Sequence, residues 1–96
     1  MKLLHLTFHH EFSDAVERIL DRHEVSDFVL HPMTHGRDLD GKHYGSKVYP
    51  GNMTVVQALV EDERVSELLE EVKAFRDEKS SHAHLRAAVI PVEQQL

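Results

Sequence analysis

Nine histidines are spread through 96 residues. Imidazole is the side chain that, near neutral pH, can exchange a proton or coordinate a divalent transition metal. Six of them are candidate metal ligands: His5 and His9 near the N-terminus, His31, His35 and His43 in mid-chain, and His84 near the C-terminus. Zinc needs three or four donors converging at about 2–2.3 Å, and nitrogen donors suit Cu, Zn, Ni or Co, with Cu(II) favoured by intrinsic affinity. The segment His31–Asn52 adds a second chemistry. It holds all four glycines and the cations Arg37, Lys42 and Lys47 against only Asp38 and Asp40. Backbone N–H groups freed by glycine, together with an arginine, can hold phosphate. The four glycines with Arg37, Lys42 and Lys47 are therefore candidates for holding an anion. The His31-x-x-x-His35 spacing spans Pro32, and the His-Glu-x-x-His signature of helical zinc sites is absent.

The rest of the composition narrows the classes. With no cysteine, disulfides, thiolate metal sites and cysteine nucleophiles are excluded. A formal charge of −6 argues against nucleic-acid binding, which relies on clustered Lys and Arg. The N-terminal apolar run is interrupted by His5, His9 and His10 too early for a signal-peptide core, and no stretch reaches membrane-spanning length. The expectation is a cytoplasmic chain, 1–96 forming one domain, with no direct membrane insertion.

The elements that must position these residues follow from periodicity. Lys2–Phe8 alternates, with Leu4, Leu6 and Phe8 on one face and Leu3, His5, Thr7 and His9 on the other, which predicts a half-buried strand. Phe12, Ala15, Val16, Ile19 and Leu20 recur at helical spacing and predict an amphipathic helix from Glu11 to His23. Phe28–Met33 and Met53–Val60 read as strands. Asp62 is the expected N-cap of a second helix with the apolar stripe Val65, Leu68, Leu69, Val72 and Phe75, fading over 76–81. His84–Val92 alternates again, with Leu85, Ala87 and Val89 on the inward face. The order is βαββαβ, which predicts an α+β, ferredoxin-like sandwich with one long loop between its second and third strands. Both helices would cover one sheet face. The other, carrying Leu3, His5, Thr7, His9, His84, Arg86, Ala88 and Ile90, suits a subunit interface.

A βαββαβ chain of this length with a long loop between strands two and three resembles the PII-like signalling proteins, relatives of nitrogen regulatory protein P-II. Gly36-Arg37-Asp38, Gly41-Lys42-His43 and Tyr44 through Tyr49 are similar to the family's Gly-Arg-Gln, Gly-His and Tyr-Arg-Gly-x-x-Tyr elements. Thr54-Val55-Val56 and Asp62-Glu63-Arg64-Val65 resemble the strand and helix start that follow its T-loop. The resemblance implies a homotrimer with adenine-nucleotide clefts between subunits, Gly36 and Arg37 on the phosphate side, and a T-loop-like segment, about 34–51, that reports ligand state to a transporter, enzyme or regulator. Two departures stand out. The family's Gly-Asp-Gly-Lys-like element before the last strand has no counterpart in Arg76–His82, and no basic cluster follows Ile90.

These departures, with the histidine enrichment, point to the family branch associated with heavy-metal efflux. The expected function is a noncatalytic trimeric regulator or sensor. Its ligand would be a divalent transition metal (Cu, Zn, Ni or Co) in preference to an adenine nucleotide, with signalling through the loop to a membrane transporter or other regulatory protein. The alternatives are a small ferredoxin-like or α+β-barrel enzyme with His31 or His43 as general base, and an interaction module whose histidines respond to pH.

Overall fold

The computed structural model describes residues 1–34, 36–38, 41–43 and 52–96, with the backbone alone at 33, 36–38 and 41–43. Its strands are β1 (Lys2–His9), β2 (Phe28–Thr34), β3 (Gly36–Asp38), β4 (Gly41–His43), β5 (Met53–Val60) and β6 (Arg86–Pro91), and its helices are α1 (Ser13–Arg22) and α2 (Asp62–Glu78). Four strands form an antiparallel sheet in the order β2-β5-β1-β6, while β3 and β4 form a separate hairpin. The βαββαβ sandwich holds, and the long connection carries an additional pair of short strands.

Alternation along β1 decides which face is dry. Leu4, Leu6 and Phe8 are almost fully buried and meet Ala58, Val56 and Thr54 of β5 in register. Val16, Ile19 and Leu20 of α1 and Leu68 and Val72 of α2 close over them. Each such side chain removed from water contributes about 1.5–3 kcal/mol. Ala87 departs from expectation. It stands opposite Leu6 on the inward face yet is exposed, because β6 is an edge strand and Ala87 lines an open groove with Leu69, Val72, Lys73 and Arg76 of α2.

The helix ends also differ from the sequence reading. A 3-10 turn at His10–Phe12 precedes α1. Glu61, not Asp62, is the N-cap of α2 and makes no side-chain capping bond. Asp62 instead accepts from the N-terminal amine at 2.6 Å, and α2 ends at Glu78, inside the expected fade over 76–81.

The C-terminus of α1 forms a Schellman closure. Val25 N–H donates to Leu20 O at 2.9 Å and Glu24 N–H to Asp21 O at 3.0 Å. Glu24 takes the left-handed position, with φ 57°. Arg64 holds this turn by donating to Glu24 Oε2 at 2.9 Å and to His23 O at 3.0 Å. A left-handed non-glycine residue costs about 1–2 kcal/mol. Glu24→Gly is therefore expected to raise stability by about 1 kcal/mol after loss of the exposed Arg64 pair, read as a higher urea midpoint.

Two further histidines are used structurally. His82 is buried, its Nδ1 lies 2.6 Å from Phe75 O, and its ring stacks on Phe75 with centroids 4.0 Å apart and meets Phe12 edge-on. His23 Nε2 lies 2.8 Å from Glu71 Oε1, while Arg22 donates to Glu71 Oε2. The Arg22 guanidinium holds the Glu71 carboxyl below its ordinary value near 4.5, burial opposes the shift, and His23 adds to it. A depressed native pKa contributes stability above the unfolded value that is lost as pH falls through the native one. The stability gap between the wild type and Glu71→Gln should be constant near pH 7 and close as pH falls below about 4.5, measured by urea unfolding across that range.

Candidate functional site

Antiparallel order gathers four strand ends at one edge of the sheet. β1 and β2 finish there, β5 and β6 begin there, and the β3–β4 hairpin lies in the connection between β2 and β5. The backbone is tied on both sides of that connection. Thr34 Oγ1 donates to Met53 O at 3.1 Å, across a register shift between His31 and Thr34. His10 N–H donates to Asn52 O at 2.9 Å. Thr54, fully buried, places Oγ1 3.0 Å from His10 Nδ1, and Ser13 Oγ donates to His10 O at 2.8 Å while lying 3.3 Å from the same ring nitrogen. His10, Ser13 and Thr54 thus join the start of α1 to the start of β5. The sequence reading missed this contact, because the partners are over 40 residues apart and no spacing signals it.

The face without helices is read row by row from the registers. One row runs His31, Val55, Thr7, Arg86 and the next Val29, Gln57, His5, Ala88; the row beyond brings Leu59, Leu3 and Ile90 together. Val29 is 56% exposed and Ile90 45% exposed, so this face mixes apolar, imidazole and cationic groups in one plane.

Of the six candidate metal ligands, the structure brings together His9 and His84, whose rings stack with centroids 4.5 Å apart at an interplanar angle of 13°. Face-to-face rings are a packing arrangement and do not converge nitrogens on one ion. His5 stands between Gln57 and Ala88, and His31 is exposed on edge strand β2, two strands away from β1. His43 lies on β4 opposite Gly36, and His35 is outside the described residues. Among the described residues, no group of three or more His, Asp or Glu could hold a metal ion. Gly36 and Arg37 both lie on β3, where Arg37 is the register partner of Lys42. Three-residue strands are too short for alternation to show in a sequence, so this pairing had no usable signal.

The same fold recurs in solved structures. One is CPII of Thiomonas intermedia K12, a nitrogen regulatory PII-like protein bound to ADP, AMP and bicarbonate. It is 19% identical, has a TM-score of 0.75, and the match covers 93% of this chain and 88% of CPII. A CPII structure with ADP and bicarbonate is 22% identical with a TM-score of 0.71, over 97% and 88% of the two chains. The fold is that of the PII-like proteins. A candidate PII-like signalling protein of Thermus thermophilus shares it at 16% identity and a TM-score of 0.62, over 92% of this chain and 82% of the other. Neither a family model nor a curated protein sequence matches the chain.

The preference for a transition metal over an adenine nucleotide is thereby corrected. CPII carries ADP and AMP with bicarbonate, and the described imidazoles are dispersed, stacked or engaged in packing. Histidine number is a poor guide to a metal centre because coordination requires convergence, which number does not encode. Among the described residues no helix is long and apolar enough to cross a membrane.

Thr54→Val keeps the shape of the buried side chain and removes the hydroxyl beside His10. It is expected to cost about 1–2 kcal/mol and to speed hydrogen exchange at the His10 amide, both measured on the purified protein.

Proposed function

We propose that 1–96 is a single PII-like, noncatalytic regulatory unit. It binds an adenine nucleotide beside the long connection and works as a homotrimer packed through the open sheet face. Binding there would order the segment about 34–51, and that segment would present the ligand state to a membrane transporter or regulatory protein at the cytoplasmic face of the membrane. The observation that carries this reading is the fold shared with nucleotide-bound CPII over nearly the whole chain, with Gly36 and Arg37 on a hairpin in the connection at the gathered strand ends.

Charge supports the placement. The chain carries −6 overall, yet His31–Asn52 holds three cations against two acids, so this segment repels an anionic ligand less than the rest of the chain does. The open face supports assembly, because it carries the exposed Val29 and Ile90 beside Leu3 and Leu59. The stretch before β6 holds no glycine, since α2 runs to Glu78 and a 3-10 turn at Ser80–His82 follows. Phosphate recognition on this reading therefore falls to the β3–β4 side.

Calorimetry with ADP and AMP, with and without bicarbonate, tests the ligand. Binding is expected, weakened about tenfold or more by Arg37→Ala through loss of a charge-assisted bond. Sedimentation equilibrium should return three times the chain mass of 11.1 kDa, and Ile90→Glu should dissociate the assembly. A monomer that gives no heat with either nucleotide would end the proposal.

A further inference from the structure

Acids are kept off the open face of the sheet. Its titratable and charged side chains are His5 and His9 on β1, His31 on β2 and Arg86 on β6, with His84 stacked on His9. No described strand position on that face holds Asp or Glu, although the chain carries 17 of them. Asp27, at the rim, precedes β2 by one residue, and its backbone O accepts Leu59 N–H at 3.0 Å. Among the residues paired with or diagonal to His5 on β5 and β6, Arg86 alone is charged. His31 pairs with Val55 beside Gln57, so no acid neighbours it on β5. His31 and Arg86 are exposed, and His5 is half-buried.

With imidazole neutral, the fixed charges of this surface, Arg86 and Asp27, are equal and opposite. Imidazole becomes a cation as pH falls from about 7 to about 5, which adds positive charges to the face and no negative ones. Copies of one chain packed through this face bring the same set to one another, so each added charge meets its like. Such repulsion is stronger between partly desolvated groups than in water. We propose that association of copies through the open face requires His5 and His31 to be uncharged, and that acid dissociates the assembly. Each imidazole that must stay neutral on association weakens it about tenfold per pH unit once that group is protonated in the free chain. Association is therefore complete at neutral to alkaline pH and lost as pH falls. The proposal rests on the reading of the open face as the assembly surface, and it adds the condition that regulates that surface.

Sedimentation equilibrium of the full chain at about pH 8 and about pH 5.5, with far-ultraviolet circular dichroism at both, tests this. The wild type should be oligomeric at the higher pH and dissociate at the lower, with its dichroism unchanged. Raising the salt concentration at the lower pH should restore association, because ions screen the repulsion. The double variant His5→Gln, His31→Gln is polar there without a titrating group and should stay assembled at both. His31→Gln alone, at an exposed position on an edge strand, should move dissociation to lower pH, and it serves if the double variant does not fold. A wild type assembled at both pH values would overturn the pH dependence and leave the assembly reading standing. A monomer at both would overturn that reading and the proposal with it. Dissociation that is unchanged in both variants, or that comes only with loss of dichroism, would overturn the assignment to His5 and His31.

Discussion

The register of β1 is the constraint on which the rest of the molecule depends. This strand is bonded on both sides, to β5 from Lys2 through His9 and to β6 from Lys2 through Thr7. Because side chains alternate with a period of two, a slip of one residue would exchange Leu4, Leu6 and Phe8 for His5, Thr7 and His9 against the helices. Burying imidazoles and a hydroxyl without partners there would cost more than the apolar contacts return. One register therefore wins, and it simultaneously decides the covered face, the open face and the level at which every strand ends.

Those strand ends give the sheet two unlike edges. At one, the Schellman turn after α1, the Arg64 bonds to Glu24 and His23, and the amine of Met1 on Asp62 tie the N-terminus to the end of α1 and the start of α2. At the other, His10, Ser13 and Thr54 secure only the approach to a long connection. Backbone capping closes the first edge with short-range bonds. The second carries the glycines and the excess of cations, which is the composition that leaves backbone and charge available to an anionic ligand.

Histidine is the residue for which composition and structure part company. His82 is a stacked core ring, His23 pairs with Glu71, His10 bonds Thr54, and His9 lies on His84. Imidazole has an apolar face, a donor and an acceptor, so it serves packing and hydrogen bonding as readily as coordination. His5 and His31 occupy separate rows of the open face, on strands separated by β5. A chain rich in imidazole thus has, among its described residues, no metal-ligand group, while CPII, which shares its fold, carries nucleotides and bicarbonate.

The sequence by itself determined the element order, the inward set of β1, the apolar stripes of both helices and the position of the long connection. All of these are periodic or compositional properties that local sterics and water enforce within a few residues. It missed the true cap at Glu61, because the Asp62 carboxylate there is taken by the N-terminal amine. Only the tertiary structure decided that Ala87 stays open at an edge strand, that His10 meets Thr54, that His9 stacks on His84, and that Lys42 stands opposite Arg37. Each of these joins residues through strand register or helix placement rather than spacing. Pairing of that kind is the outcome of global packing, which no local pattern encodes.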